Sequence, residues 1–526
     1  MSPLSGTRAM ARLVLRRDRV RLAVWVLALL ALVLSSVASV TSLYATASQR
    51  EAYTAAVGDN PVAVIMGGPG TGLPSLGAVV VFEVAVVGCV AVGLMSVLLV
   101  VRSTRAEEEA GRTELLRAGP VGRWAGPAAA LAVVAGADLA VGVGTALGAA
   151  ALGLDLSGSL ALGASLAAFG LVMAAVALLA AQVSEHARAA SGLGAALLGA
   201  FFVLRAAGDV GDGALSWASP MGWALAVRPF AGERWAVLLL PLALAVALAT
   251  AALLLLDRRD VGAGLVAVRP GPATASSRLA GPLGLAVRQH RAAVAGWGAG
   301  LFLLGAAYGS VGESVQELVS QNEALAAFLA AGGTDLVDSF FALAAAMMAL
   351  AGGGLALQVA TRVRAEEVAG RLEPLLATAL PRWRSAAAHL VVAAVGVALV
   401  LALAGLGLGL AHAALTEDAG QVPRLLGAAL VHVPAAWVLV GATALLFGWA
   451  PRATGAAWAL LAGSAVVVLL GQTLRLPGWV VDLSPFSVVP AVPAEHLAVA
   501  PLVWLTALAL ALAAAGVAGL ARRDVG

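Results

Sequence analysis

The chain has 526 residues, 61% of them hydrophobic and only 12% charged, with a mean hydropathy of +0.96. Soluble domains carry about 25% charged residues, so a water-soluble globular protein is excluded and a bilayer is the expected solvent. The net charge is +3. Such a mild basic excess reflects topology and contact with anionic lipids rather than nucleic-acid binding.

In chain order, apolar runs near the roughly 20 residues needed to cross a hydrocarbon core fall at 22–42, 76–101, 125–152, 159–182, 190–205 and 235–256. Six more follow at 292–311, 337–360, 385–412, 425–449, 455–472 and 500–521. The fold class predicted is all-α integral membrane. Ahead of the first run, Arg8, Arg12, Arg16 and Arg19 recur at helical spacing, while Met10, Leu13 and Val14 point elsewhere. This segment reads either as an interfacial helix along the inner leaflet or as a basic flank that only sets topology; Arg288 and Arg291 form a weaker copy. Ala45-Thr46-Ala47 has the look of a signal-peptidase site. The apolar core before it is too long for a signal peptide and its counterpart lies mid-chain, so the first span is retained.

Residues 43–75 and 312–336 are too long for simple turns; Asn60 and Asn322 begin stretches that run into Gly67-Gly68 and Gly332-Gly333. They read as short outer helices capping an exit or as surface loops. Glu83 lies in the second span and Asp138 in the third, where ionisable groups are costly. Glu83, beside Phe82, is a candidate for attracting cationic amphiphiles, balanced by Arg205 in the fifth span; the structural reading is an internal pair that orients helices. Phe201, Phe202, Phe340, Phe341, Met347 and Met348 are candidate lining of an apolar pathway, or packing residues. The single cysteine, Cys89, allows no disulfide, and six scattered histidines lack ligand spacing, so no metal and no catalytic set is assigned.

Lysine is absent, so all 32 basic residues are arginine. With the heavy use of Ala, Gly and Val, this suggests a GC-rich, actinobacterial-type genome. Both termini placed in the cytoplasm leave only Arg50, Arg205, Arg228, Arg234, Arg424 and Arg475 outside, which fixes a multi-pass orientation in a bacterial plasma membrane.

The chain is internally duplicated. Arg105-Ala106-Glu107-Glu108-Glu109-Ala110-Gly111-Arg112-Thr113-Glu114 aligns without a gap on Arg364-Ala365-Glu366-Glu367-Val368-Ala369-Gly370-Arg371-Leu372-Glu373, an offset of 259 that also carries Arg123-Trp124 onto Arg382-Trp383. Glu83 and Asp138 have no acidic counterpart at that offset, where Ala342 and Val397 stand. Each half closes with Arg-Arg-Asp-Val-Gly, at 258–262 and 522–526, and Ser219-Pro220 and Ser484-Pro485 precede the last span of each. Even span numbers make the copies parallel and pseudo-symmetric. The domains predicted are 1–262, a Pro/Gly/Ser-rich cytoplasmic linker at 263–284 containing Pro270, Gly271, Pro272 and Ser277, and 285–526.

In the repeated loop, Glu108 to Arg112 and Glu367 to Arg371 have the i,i+4 spacing of helical ion pairs, followed by Leu115-Leu116 and Leu375-Leu376. A charged, partly apolar helix of this kind either docks on a soluble partner or is a solvated juxtamembrane helix. The R-x-E-E-x-x-G-R-x-E pattern, the basic segment before span one and the closing R-R-D-V-G resemble the fused, twelve-span permeases of the type-2 ABC export family, often described as polyketide-antibiotic or multidrug exporters. The resemblance implies coupling helices that dock on two copies of a separate ABC ATPase, through Arg105, Glu107, Glu108, Gly111, Arg112 and Glu114, and through Arg364, Glu366, Glu367, Gly370, Arg371 and Glu373. Val368 and Pro374 depart from the first copy, so the two contacts need not be equivalent. The phosphate-binding loop G-x-x-x-x-G-K-[ST] requires a lysine, and this chain has none; ATP and Mg2+ are expected on the partner, with no cofactor on this chain. The expected cargo is hydrophobic or amphipathic. The alternative is a proton-coupled secondary drug transporter with Glu83 and Asp138 as proton carriers, but the span-two loop lacks that fold's D-R-x-G-R-R pattern.

Overall fold

The computed structural model describes residues 2–58, 61–260, 262–266, 273–274, 276, 279, 281–311, 336–378, 380–470 and 477–523. Among these residues every regular element is helical, and twelve helices are long and apolar enough to cross a membrane. The chain divides into two units, Met1–Gly271 and Pro272–Gly526.

The first unit contains α1 (Thr7–Leu43), α2 (Leu76–Ser103), α3 (Ala125–Ala151), α4 (Leu156–Val183), α5 (Ala187–Val210) and α6 (Leu239–Leu256). α2 and α4 form its centre: Val92, Met95, Val97, Leu162, Leu166, Phe169 and Met173 are inaccessible. The second unit contains α7 (Pro282–Val311), α8 (Leu336–Ala360), α9 (Arg382–Thr416), α10 (Val433–Trp449), α11 (Ala457–Leu470) and α12 (Val499–Arg522). Its core joins Phe341, Met348, Leu355 and Leu357 of α8 to Val397, Leu401 and Leu408 of α9 and Leu439 of α10. Asn60, residues 312–335 with Asn322 and Gly332-Gly333, Pro270 to Pro272, Ser277 and Arg475 lie outside the described residues.

Three boundaries differ from expectation. α1 is continuous through 37 residues, about 55 Å at 1.5 Å per residue, so the arginine segment prolongs the span and is not a separate helix lying flat. α5 runs from Ala187 to Val210, longer than the apolar run alone suggests. The tenth run is split into Gln421–Leu430 and α10, because Pro434 in the first turn of α10 has no N–H to continue the preceding helix.

Small residues allow the helices to approach. A Cβ on Gly142 of α3 would stand 2.6 Å from the carbonyl oxygen of Gly163 on α4, and Gly448 of α10 meets Gly516 of α12 in the same manner. Such contacts replace the hydrophobic drive that lipid removes. Exposed tryptophans mark helix ends in the second unit: Trp383, Trp449 and Trp458 at one end, Trp479 and Trp504 toward the other, as in interfacial aromatic belts. Gly163→Leu should force α3 and α4 apart at a cost of about 1–3 kcal/mol, read as a fall in melting temperature in detergent; an unchanged transition contradicts this packing.

Candidate functional site

The repeated loop follows α2 and α8. In the first unit it is not one helix but two short ones, Arg105–Glu109 and Arg112–Arg117, separated by Gly111 at φ 70°. In the second, Arg362–Val368 and Leu372–Leu376 are separated by Gly370 at φ 66°. Both glycines have open space where a Cβ would project, so left-handed backbone, not crowding, is what selects glycine there.

That break overturns the expected i,i+4 pairs. With the helix interrupted, Arg112 swings back to donate from Nε and Nη2 to Glu107, at 2.7 and 2.8 Å. Arg371 does the same to Glu366, at 2.6 and 3.3 Å. These hydrogen bonds hold both guanidiniums above their ordinary pKa range.

Glu108 and Glu367 take different partners. Arg105 Nη1 donates to Glu108 at 2.6 Å, and Arg259 Nη2 spans both carboxylate oxygens at 3.0 and 2.9 Å. In the second unit Arg364 Nη1 donates to Glu367 at 2.9 Å, and Arg523 Nη2 spans both oxygens at 2.8 and 3.0 Å. Arg259 and Arg523 are the second arginines of the two Arg-Arg-Asp-Val-Gly runs. The closing motif of each unit thus clamps the second glutamate of that unit's loop. A third contact repeats: Arg123 donates to the carbonyl of Arg259, and Arg382 to that of Arg523.

The copies differ in depth. Arg105 is only 1% exposed and also donates to the carbonyls of Glu185, Gly262 and Ala263. The Arg364 side chain is 28% exposed and is bonded to Glu367. The first unit adds a link to α1: Arg17 pairs with Glu107, while Asp18 gathers Arg17, Arg21 and Arg102. In the second, Arg362 pairs with Glu366 one turn away. A cavity of about 360 Å³ beneath the first loop is lined by Leu13, Val14, Thr104, Leu116, Val121 and Pro127. One of about 210 Å³ beneath the second is lined by Leu285, Val363, Leu372, Leu375, Leu380 and His389. The loops are therefore fixed to their bundles by charged bonds over loosely filled space.

The sequence-predicted loop residues thus divide. Arg105, Glu107, Glu108, Arg364, Glu366 and Glu367 face their own bundle, whereas Gly111, Arg112, Glu114 and Leu115, the last 78% exposed, and Gly370, Arg371, Glu373 and Leu375 remain accessible. Arg17, Asp18, Arg102, Arg259 and Arg523 were not singled out for this role; the recurrence of Arg-Arg-Asp-Val-Gly was the signal for the last two.

The pathway candidates also divide. Glu83 accepts a hydrogen bond from the Tyr53 hydroxyl, and Tyr53 packs edge-on to Phe82 at 6.1 Å. Arg205 does not balance Glu83: it is inaccessible, bonded to Asp209 and to the carbonyls of Val64 and Ile65, with Phe202 4.8 Å beneath it. The short helix Pro61–Gly67 supplies those carbonyls, and its Gly67 lies against Phe82, so it bridges α2 and α5. Phe201 contributes its carbonyl to Ser219 Oγ at 2.7 Å. Phe341 and Met348 are core residues, Phe341 against His412, while Phe340 and Met347 are partly open. Asp138 is fully buried and accepts from Ser96 at 2.8 Å.

The twelve membrane-length helices among the described residues make this a multi-pass membrane protein. The chain belongs to the family of the multidrug efflux system permease Rv1217c. It is 41% identical over 529 residues to the multidrug efflux system permease protein Rv1217c of Mycobacterium tuberculosis H37Rv, a match covering 100% of this chain and 96% of that one. The family model for the C-terminal domain of that permease matches residues 279–520.

Removing Arg523 takes from the Glu367 carboxylate the arginine that spans both its oxygens and leaves it Arg364 alone, a loss on the order of 1–3 kcal/mol. Arg523→Ala should lower the melting temperature accordingly, and combined with Glu367→Ala the two losses should be less than additive. A double-mutant coupling near zero would show that the clamp carries no energy.

Proposed function

We propose that this chain is the permease subunit of an ATP-driven multidrug exporter of the type-2 ABC kind. In this reading both termini and both loops lie in the cytoplasm, each loop receives one copy of a separate ATPase, and ATP with Mg2+ binds to that partner. The observation that carries the reading is the repeated clamp, together with the likeness to a permease of an efflux system. A loop meant to transmit an outside push must be fastened to the helices it moves; in each unit the end of the second span and the chain after the sixth meet on one glutamate. Absence of lysine supports a separate motor, because the usual phosphate-binding loop needs one.

ATP binding that draws two such partners together would pull on two fastened loops and alternate access to a pathway within the membrane. The cargo fitting an apolar interior is hydrophobic or amphipathic. The proton-coupled reading would use Asp138 as a carrier. Its carboxylate, held by Ser96 and pressed against Gly170, sits where α2, α3 and α4 pack, a position suited to orienting helices.

The division of the loop decides how to test docking. Glu108 and Glu367 are internal, so reversing their charge would damage the loop itself; Glu114 and Glu373 are acidic groups at aligned positions that a partner can reach. Glu114→Arg with Glu373→Arg should reduce ATPase co-purification and ATP-driven efflux about tenfold or more. The melting temperature should stay close to that of the parent, since exposed substitutions usually move stability by about 0.5 kcal/mol or less. Undiminished co-purification and transport contradict docking at these loops.

A further inference from the structure

We infer that Glu83 is the charge-recognising group of a binding site for lipophilic organic cations on the uncovered face of α2. The inference rests on the exporter reading only for the direction of movement, since binding itself needs no motor.

The first observation is placement. Glu83, Val87, Leu94 and Leu98 are exposed, with Val90 and Ala91 half-buried between them, while the remaining faces of α2 supply the core of the unit. Their spacing of three and four residues puts them on one side of the helix. The stripe extends about 22 Å from Glu83 to Leu98 at 1.5 Å per residue and consists of aliphatic side chains except at Glu83.

The second is charge. Glu83 has no ion-pair partner among the described residues, and Arg205, the partner expected from the sequence, is committed to Asp209 and two carbonyls. Its one hydrogen bond comes from a neutral phenol: Tyr53 holds Oε1, leaving Oε2 without a partner among the described residues. Tyr53 is itself fixed, buried with its ring centroid 4.8 Å from Tyr44 and 6.1 Å from Phe82. The carboxylate is therefore held by Tyr53, at membrane depth, on an accessible face, and among the described residues it lacks the counter-ion that such a group ordinarily has.

The third is complementarity. One carboxylate, whose neighbouring Tyr53 hydroxyl is spent donating to it, is a poor site for an inorganic cation, which requires several oxygen ligands. A bulky organic cation needs only one opposite charge and apolar area, and the stripe below Glu83 offers the area. The half-buried Tyr44 ring beside Tyr53 adds an aromatic surface of the kind that attracts such cations. The second unit has Ala342 at the aligned position, so the charge is present once per chain.

Equilibrium binding to the purified full chain in mild detergent tests this, with tetraphenylphosphonium as the cation and triphenylphosphine oxide as a neutral probe. Glu83→Gln should weaken tetraphenylphosphonium binding tenfold or more and leave the neutral probe within about twofold, while Glu83→Asp retains most of the cation affinity. Tyr53→Phe, which frees the carboxylate to rotate, should weaken the cation severalfold and leave the neutral probe unaffected. Equal cation affinity in the parent and Glu83→Gln, no cation binding by the parent, or a parallel loss of both ligands in the variants each overturns the assignment. No nucleotide is present, so a negative result leaves the ATP-driven reading untouched.

Discussion

A carboxylate gripped by two arginines from distant parts of the chain organises the working end of each unit. Glu108 receives Arg105 from its own loop and Arg259 from beyond α6; Glu367 receives Arg364 and Arg523. Charges of this kind are costly to bury and are tolerated when paired and hydrogen-bonded on several sides. Arg105 meets that condition with one carboxylate and three carbonyls. The clamp thereby closes a six-helix unit by tying its second span to the segment after its last.

The clamp also explains why the loop is broken at glycine. A continuous helix would carry Glu107 and Arg112 apart; a residue in left-handed backbone at Gly111 or Gly370 turns the chain so that arginine returns to the first glutamate. One glutamate then secures the loop internally and the other secures it to the bundle. What remains outward is a short acidic and apolar edge, Glu114 with Leu115 and Glu373 with Leu375. On the proposed reading this edge meets the ATPase, and the clamp carries its motion inward. The first copy, tied also to α1 through Arg17, is the more deeply anchored.

Much of this was legible in the residues. Length and apolarity alone placed twelve spans, because a bilayer sets a minimum run that few other environments impose. The gapless match at 105–114 and 364–373 identified the loops. Pairing was not legible: i,i+4 spacing presumes an unbroken helix, and the left-handed glycine that cancels it is a backbone state which sequence spacing does not encode. Partners such as Arg259, 151 residues beyond Glu108, are set by how spans pack. The same reason defeats the expected Glu83–Arg205 pair, since Pro61–Gly67 interposes its carbonyls and captures the arginine. Packing likewise separated Phe341 and Met348, which are core, from the more open Phe340 and Met347.

The central claim is that the energy for transport enters through the two fastened loops from a separate nucleotide-hydrolysing partner. Proteoliposomes holding the chain alone, or the chain with the ATPase that co-purifies with it, measure this directly through uptake of a fluorescent lipophilic drug into inside-out vesicles. The account predicts uptake that requires the partner and ATP together and is indifferent to an imposed proton gradient. Uptake by the chain alone, driven by that gradient, contradicts it.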